Sequence, residues 1–456
     1  MPKKNDILTL EITDINNLGF GVGRAPDGKV VFVAGTADGD TAEVQIIKDA
    51  ASYAVGRLLR TVTPSPHRTN APHCAVRGCG GCTYTAITYE HELTLKRRTV
   101  EAAFRKAGVE IEVGEVEHTG RVVGYRNKAQ YPVRRTRDGG IAIGFFAPKS
   151  HRVTEAAGCP LTPPLFAEII EEIRSHALSA GVLPYDEESG TGLLRHIYLR
   201  AAEDCREVLL TLVVTKDEYP NAEGLVGALS ARFPSLVGIL LNINNRDTNV
   251  ILGDRYRTLF GRDHLYDTLA GVRLRLAPPA FYQVNRAAAE RLYRRAAELA
   301  ELGGDEVLLD LYCGVGSIGL SMADRVGRLF GIEIVPEAID CARENAKTAG
   351  IENATFEVGD AARTGEILAR HGVTRPDVII LDPPRAGADA ALLDTIAALS
   401  PSRLVYISCN PATLARDVAY LKDLGFVPGK VTPFDLFPRT GHVESVVCLT
   451  VSDKAT

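Results

Sequence analysis

Three cysteines stand close together in a glycine-rich stretch. Cys74, Cys79 and Cys82 follow the spacing C-x4-C-x2-C around the string RGCGGC. Thiolates at this spacing can bind one metal centre, and glycines let backbone N–H groups point at sulfur. A fourth ligand is expected from Cys159, which also lies in a glycine- and proline-containing turn. The pattern predicts a four-cysteine metal site, and the spacing alone does not separate zinc from an iron–sulfur cluster.

A second group of residues surrounds a glycine loop that follows an apolar strand. Asp310, Gly314 and Gly316 form D-L-x-C-G-x-G, which is neither the dinucleotide fingerprint nor a lysine-containing phosphate loop. Glu333 ends the next strand, where a carboxylate can accept both ribose hydroxyls. Asp360 ends the third strand, where an adenine edge would lie. A glycine loop without a phosphate site predicts a nucleoside cofactor without pyrophosphate, namely S-adenosylmethionine.

A third group contains a candidate nucleophile. Cys409 follows the predicted fifth strand, and Pro411 opens the next helix, whose N-terminal dipole is expected to lower the pKa of the thiol. Asp382 ends the fourth strand in D-P-P-R, where Arg385 takes the place of the aromatic residue found in enzymes that methylate exocyclic amines. Glu444 precedes the last strand and is expected to face the same pocket. The set predicts a cysteine nucleophile with carboxylates in the same pocket, acting on a target other than an amine.

Three domains are predicted to position these residues, in a multidomain α/β protein. Short β-like runs with glycine turns over residues 1–60 predict an OB-like barrel. Residues 61–277 are interpreted as a central α+β domain with the cysteine cluster, a helix over 86–107 and a basic RNA-facing segment. From 278 to 456 strands and helices alternate, which predicts a doubly wound, Rossmann-like methyltransferase domain.

The charge of the chain is unevenly distributed. Of 456 residues, 45% are hydrophobic and 24% charged, which excludes collagen-like and disordered classes. The net charge of -5 argues against a nucleic-acid partner only as an average. Residues 1–160 carry 22 basic and 17 acidic side chains, whereas 161–456 carry 30 and 40. The basic run RVVGYRNKAQYPVRR, interleaved with tyrosines, is typical of surfaces that bind RNA phosphates and unstacked bases.

The sequence also predicts a location and an oligomeric state. No apolar run approaches the roughly 18 residues of a membrane span, and no hydrophobic leader follows MPKKND. We therefore expect a cytoplasmic protein with no membrane partner. The oligomeric state is predicted to be a monomer. In a reducing compartment, the nine cysteines are expected to be metal ligands, nucleophiles or buried apolar groups rather than disulfides.

Several strings of this sequence are similar, in order and spacing, to the RNA uracil-5 methyltransferase family. They are FYQVN, LYCGVGSIGL, DPPRAG, SCNPATLARD and FPRTGHVE, and the stretch N-L-G-x-G-V-G-R resembles a TRAM domain, an RNA-binding barrel. The resemblance implies that Cys409 adds to C6 of uracil and that Glu444 removes the C5 proton. It also implies a set of residues that contact S-adenosylmethionine: Gln283, Tyr312, Glu333 and Asp382.

The resemblance is closest to the branch that methylates 23S rRNA, which carries both the barrel and the cysteine set. It implies a 4Fe–4S cluster, with zinc as the alternative. Four residues separate Cys74 from Cys79, where the rRNA enzymes commonly have five. Ser317, which stands where many members have Asn, and Asp360 complete the expected cofactor site. The substrate is expected to be 23S rRNA, with tRNA as the alternative; a radical methylthiotransferase and a non-catalytic RNA-binding protein are the remote alternatives.

Overall fold

The first five strands close into a small barrel. The computed structural model describes residues 3–69 and 73–451. Buried and exposed residues alternate along these strands, because one face of each strand fills the barrel interior. Pairing of the first strand with the fourth closes the sheet, so the predicted barrel is confirmed. The strands, in the spatial order β1-β2-β3-β5-β4, are β1 (Ile7–Ile15), β2 (Phe20–Arg24), β3 (Val30–Ala34), β4 (Thr41–Asp49) and β5 (Tyr53–Thr63).

A seven-stranded sheet forms the middle of the molecule. Its two central strands, β9 and β10, are buried along their whole length because both faces of the sheet are covered. The strands, in the spatial order β12-β11-β10-β9-β6-β7-β8, are β6 (Lys128–Arg135), β7 (Ile141–Phe146), β8 (Val153–Glu155), β9 (Leu194–Ala201), β10 (Val208–Val214), β11 (Leu236–Ile243) and β12 (Arg255–Gly261). A separate hairpin of β13 (Leu265–Leu269) and β14 (Val272–Leu276) leads into the C-terminal part.

The C-terminal part is built on an eight-stranded sheet. Five strands, β15 to β19, run parallel, and β22 joins them antiparallel, as expected for a doubly wound α/β fold. The strand order is β17-β16-β15-β18-β19-β22-β20, with β21 also paired to β22. The strands are β15 (Val307–Leu311), β16 (Arg328–Glu333), β17 (Ala354–Val358), β18 (Val378–Leu381), β19 (Arg403–Ser408), β20 (Phe426–Pro428), β21 (Thr432–Phe434) and β22 (Glu444–Val451).

Nine α-helices accompany these sheets in the described part of the chain. Three of the longer ones, α2, α6 and α9, begin at a proline, which suits the first helical turn because a backbone N–H would have no partner there. None of the described helices combines the length and hydrophobicity required to cross a bilayer. The helices are α1 (Tyr89–Lys106), α2 (Pro164–Ser179), α3 (Ala222–Arg232), α4 (Arg286–Ala300), α5 (Ser317–Leu320), α6 (Pro336–Thr348), α7 (Thr364–Arg370), α8 (Ala390–Leu399) and α9 (Pro411–Asp423).

Helix α1 lies against the C-terminal sheet, although it precedes the middle sheet in the chain. It begins after Thr88, whose hydroxyl accepts a hydrogen bond from the N–H of His91. Its buried residues Val100 and Phe104 belong to the same apolar cluster as Leu309 of β15. The helix therefore connects the N-terminal half of the chain to the sheet that carries the glycine loop.

Candidate active site

The carboxyl ends of four parallel strands bring most of the predicted site residues to one edge of the C-terminal sheet. β15, β16, β18 and β19 run in the same direction with adjacent registers. Their ends therefore place Tyr312, Glu333, Asp382 and Cys409 along this edge, where open α/β sheets bind ligands. The first residue of β22, Glu444, faces the same place, because β22 runs antiparallel beside β19.

The glycine loop after β15 is held by a buried carboxylate. Asp310 is fully buried and accepts a hydrogen bond from the N–H of Gly319 at 2.9 Å, which ties the strand to α5. Gly316 has φ +80°, and a Cβ there would lie 3.0 Å from the ring of Phe356. The loop thus needs glycine at this position for its backbone conformation and for its close contact. The second oxygen of Asp310, Oδ1, has no hydrogen-bond partner among the described residues.

The predicted cofactor residues occupy different parts of this edge. Glu333 accepts hydrogen bonds from the N–H groups of Gly314 at 3.3 Å and Val335 at 3.0 Å, so its carboxylate lies beside the glycine loop. Tyr312 is half-buried. Burial is the main cause of its raised pKa, and the charges of nearby acids, among them Asp360 and Glu333, raise it further. Asp360 itself is more exposed and caps a short 3-10 helix by accepting from Ala362 N–H at 3.0 Å.

Two other predicted cofactor residues lie on or beside α4. Gln283 precedes the helix, and its carbonyl accepts a hydrogen bond from the side-chain amide of Asn127 at 2.9 Å. Ser317, the first residue of α5, has its hydroxyl 2.9 Å from the hydroxyl of Tyr293 on α4. The hydroxyl of Ser317 therefore already has a protein partner, and its contact with a cofactor stays a prediction.

Cys409, Asp382 and Glu444 form a compact group of ionisable side chains. Burial raises the pKa of Asp382 to about 7. Burial, reinforced by the charge of Asp382, raises the pKa of Glu444 to about 8. Burial and the charges of both carboxylates raise the pKa of Cys409. The expected lowering of this pKa by the helix that starts at Pro411 is therefore wrong in direction, because desolvation and two nearby acids outweigh it.

Arg385 supplies the positive charge in this group. Its guanidinium interacts with the Cys409 thiol and opposes the increase in the pKa of both Cys409 and Glu444. The loop that carries it is held by Asn410, whose side-chain amide donates to the carbonyl of Arg385 at 3.0 Å. The guanidinium also lies 3.3 Å from Nδ1 of His442. A cation in this position stabilises a thiolate and any negative charge that develops on a nearby base.

The site contains more acidic than basic side chains. Burial, with the charges of Asp382 and Glu333, raises the pKa of Asp310 to about 7, although the hydrogen bond from Gly319 opposes this. Raised pKa values of clustered acids indicate that like charges are held close together in a poorly solvated place. Such a site favours a cationic ligand. The sulfonium and ammonium groups of S-adenosylmethionine fit this charge, and the carboxylate of Glu333 beside a glycine loop fits its ribose.

The four predicted metal ligands line one cavity of about 770 Å³. Cys79 and Cys74 accept backbone hydrogen bonds at 3.4 Å from Gly81 and Val76, respectively. Burial and the charges of the other three thiols raise the pKa of Cys82 to about 12. Tertiary structure thus brings distant Cys159 to the three clustered cysteines.

The thiols do not surround a single point. Among residues 3–69 and 73–451, no group of three or more His, Cys, Asp or Glu side chains is arranged so that it could hold a metal ion. The predicted metal cluster is therefore not shown, although its four residues share one cavity. His73, which the sequence analysis did not consider, has Nε2 3.3 Å from Sγ of Cys82.

The same cavity has a basic wall. Its described lining includes Arg77, Arg126 and Lys128 and contains no Asp or Glu. Lys128 on β6 pairs with Arg200 on the neighbouring strand β9, so two cations lie side by side on one face of the sheet. Burial, followed by the charges of Arg200 and Arg126, lowers the pKa of Lys128 to about 8. Arg77, Arg126 and Lys128 thus make this wall of the cavity electropositive.

Two residues of the site were missed as functional groups by sequence reasoning. Arg385 was interpreted only as replacing an aromatic residue, although the string D-P-P-R places a cation at the end of the fourth strand. His442 lies two residues before Glu444 in T-G-H-V-E, and this closeness was the available signal. Their contact with each other depends on two loops that are 57 positions apart in the chain.

Comparison with known protein families gives two matches. The family model described as tRNA (Uracil-5-)-methyltransferase matches residues 255–452. The TRAM domain model matches residues 3–59, which contain most of the barrel. The two models thus cover the C-terminal sheet and the N-terminal barrel.

Similar proteins match along almost the whole chain. An uncharacterized RNA methyltransferase of Halalkalibacterium halodurans is 37% identical over 448 residues, covering 98% of this chain and 97% of the relative. One from Listeria monocytogenes is 38% identical over 448 residues, covering 98% of each. Among solved structures, the Pyrococcus abyssi tRNA (uracil-54, C5)-methyltransferase in complex with S-adenosyl-L-homocysteine superposes with a TM-score of 0.79 at 28% identity, covering 97% of this chain and 99% of that one.

Proposed function

This chain belongs to the RNA uracil-5 methyltransferase family, and we propose that it methylates C5 of a uridine in RNA through a covalent bond between Cys409 and C6 of the base. The observation that carries the mechanism is the meeting of Cys409 and Glu444 beside Arg385 at the carboxyl edge of the sheet. A nucleophile, a carboxylate and a cation are the three groups that this reaction requires.

The reaction needs a nucleophile because C5 of uracil is too weakly nucleophilic to accept a methyl group directly. Addition of the Cys409 thiolate to C6 places electron density on C5 and O4 as an enolate. S-adenosylmethionine, when bound, supplies a methyl group on a sulfonium that C5 can attack. Glu444 then removes the C5 proton, the electrons of the C5–H bond form the C5=C6 double bond, and Cys409 leaves as a thiolate.

Arg385 supports the first half of this sequence. Its guanidinium interacts with the Cys409 thiol, so it increases the fraction of thiolate against the effect of burial. Asp382 lies between the proposed cofactor and uracil positions, and its charge acts on both Cys409 and Glu444. The thiolate must approach the face of the ring, so the uridine is expected to be unstacked and flipped into the site.

The proposed cofactor site uses the carboxylates and the glycine loop. Glu333, already oriented by two backbone N–H groups, accepts the ribose hydroxyls. Asp360 is assigned to the adenine position, and the charges of both acids act on Tyr312. Gln283, Asp382 and Ser317 approach from α4, β18 and α5. The excess of acidic groups at this edge supports binding of the cationic cofactor over its neutral product.

The rate is expected to rise with pH between 6 and 9. Both Cys409 and Glu444 must lose a proton to act, and the structure raises the pKa of each, that of Glu444 to about 8. Below these pKa values, kcat/KM for S-adenosylmethionine should increase at least roughly tenfold per pH unit, and it should level off above them. A pH–rate profile measures this, with circular dichroism over the same range to verify the fold. A flat or falling profile would contradict the assignment.

The proposed target is a uridine of 23S rRNA, because this chain carries both the barrel and the cysteine set. A tRNA uridine is the second candidate, because the Pyrococcus abyssi structure, whose described substrate is tRNA, covers 97% of this chain. Mapping 5-methyluridine by mass spectrometry in rRNA and tRNA of a deletion strain distinguishes the two, since only the true target loses the modification. Retention of 5-methyluridine in both RNAs would contradict the proposed function.

The proposed metal centre is a cluster held by the cysteine set, Cys74, Cys79, Cys82 and Cys159. Its support is the shared cavity and the backbone N–H groups that point at two of the sulfurs. Its proposed role is architectural, because polar methyl transfer requires no electron. Anaerobically prepared protein is expected to be brown, with absorbance near 400 nm and about four irons per chain. Colourless protein with one zinc per chain would support the zinc alternative and refute iron–sulfur.

A further inference from the structure

The segment between β21 and β22 leads to Glu444 and is mostly buried although it has no regular structure. Residues 435–443 leave β21 at Phe434 and return at Glu444, which pairs with Phe434 across the two strands. Asp435 is 1% exposed and Arg439 is 9% exposed. The polar groups of a buried irregular segment need partners, and here many of those partners come from the N-terminal half of the chain.

Lys96 on α1 holds the beginning of the 435–443 segment. Its ammonium donates to Asp435 Oδ1 at 2.6 Å, to Glu92 Oε1 at 2.8 Å and to the carbonyl of Phe437 at 3.1 Å. Lys96 and Glu92 are almost fully buried. From the same helix, the hydroxyl of Tyr89 donates to Asp435 Oδ2 at 2.6 Å. One face of α1 thus provides both charge and hydrogen bonds to the segment.

Arg439 is held on both sides of its backbone. Its N–H donates to Glu92 Oε1 at 2.7 Å, and its carbonyl accepts from the N–H groups of Thr83 at 2.8 Å and Tyr84 at 3.2 Å. Its φ of +70° lies in the left-handed region, which a residue other than glycine adopts only where its surroundings impose it. The segment is therefore kept in a strained conformation by α1 and by the residues that directly follow Cys82.

These charges are not required to attach α1 to the sheet. The helix already packs through Val100 and Phe104 in the apolar cluster. A buried ammonium with two carboxylates is expensive, and an apolar group of similar size often serves packing equally well. The hydrogen-bond partners of Lys96 outside its own helix, Asp435 and Phe437, lie on the segment before Glu444.

From this geometry we propose that Lys96, together with Glu92 and Asp435, positions Glu444 for removal of the C5 proton. The inference rests on the proposed function and adds three positioning residues that do not touch the substrate. The affected step is the last one. The Glu444 carboxylate takes the C5 proton, the C5–H electron pair forms the C5=C6 bond, and the C6–S bond breaks to release the Cys409 thiolate. A displaced carboxylate slows this elimination and leaves the methylated base attached to Cys409.

The test is Lys96→Met in the full-length protein. Misplacement of a catalytic group by about 1 Å can cost on the order of 10²-fold in rate, so we expect a loss of turnover of at least about tenfold. Affinity for RNA should stay within about twofold, because Lys96 is buried. The specific readout is accumulation of a methylated, SDS-resistant adduct between the protein and ordinary uridine-containing RNA. Slowed turnover without this adduct would overturn the inference.

Two further variants keep the test independent of folding. Lys96→Met leaves the buried acids Glu92 and Asp435 without their cation. The triple variant that adds Glu92→Gln and Asp435→Asn removes these unpaired charges and should give the same adduct. Lys96→Arg can reform the ion pairs and should restore most of the turnover. Absence of the adduct from the folded triple variant would overturn the inference.

A matched control is Arg195→Met. Arg195 is a buried cation of the middle sheet that donates to the carbonyls of Asn244 and Arg246 and does not contact the 435–443 segment. It should give no adduct, and an adduct there would indicate a general effect of losing a buried cation. The proposed function fails if wild-type protein makes no 5-methyluridine, whereas the positioning role fails if wild type is active and Lys96→Met behaves like Arg195→Met.

Discussion

Replacing Cys409 with alanine is expected to abolish methylation, with turnover lowered by about 10⁴-fold or more. Without the thiolate there is no addition to C6, so C5 never becomes a nucleophile. Transfer of a labelled methyl group to RNA measures the loss. RNA that contains 5-fluorouridine gives a second measurement. A base cannot remove fluorine from C5 as it removes a proton, so elimination stops and the wild-type adduct persists.

The control for this variant is Cys341→Ala. Cys341 is a partly buried cysteine on α6 and is not part of the group around Asp382 and Glu444. It should keep near-normal turnover and form the 5-fluorouridine adduct. RNA affinity of Cys409→Ala should also be unchanged, which shows that the variant is folded. An adduct that survives Cys409→Ala would rule out this residue as the nucleophile.

Replacing Glu444 with glutamine is expected to trap the covalent adduct between Cys409 and the methylated base. Glutamine has nearly the same shape but cannot accept the C5 proton, so methyl transfer occurs once and elimination slows by about 10²- to 10⁴-fold. Glu444 is 7% exposed and close to Asp382, so neutralising it also removes a repulsion and should not unfold the protein. Gel electrophoresis under denaturing conditions should show a methylated RNA–protein adduct with ordinary uridine.

The double variant Cys409→Ala with Glu444→Gln separates this explanation from a non-specific crosslink. The adduct should disappear when the thiol is absent, because the trapped bond is the one between Sγ and C6. If Glu444→Gln turned over normally, or lost activity without any adduct, another group would have to be the base. His442 and Asp382 are the neighbours from which that base would come.

Sequence patterns were sufficient for the parts of the fold that form locally. The glycine loop, the strand before it and the helix after it lie within a few tens of residues, and their apolar runs and glycines predict a βα unit directly. The same holds for the barrel strands, which alternate between apolar and polar residues. The α/β fold, the barrel and the family were therefore predicted correctly.

The metal site marks the limit of local patterns. Three of its cysteines lie within the nine-residue stretch 74–82, whereas the fourth, Cys159, follows β8, and only the packing of loops decides how close it comes. The structure gathers the four thiols around one cavity without a coordination shell. Spacing predicted which residues meet and could not predict their final geometry.

The sequence by itself identified the residues that we propose to carry the chemistry: Asp382, Cys409 and the glycine loop, which each follow a predictable strand, and Glu444, which begins one. The tertiary structure alone decided their electrostatic state and their support. The pKa of Cys409 rises because burial and two acids from other strands outweigh the nearby helix N-terminus. Lys96 and Asp435, 339 positions apart, form one buried ion pair. Desolvation and Coulomb interactions depend on distances in space, which sequence spacing does not specify.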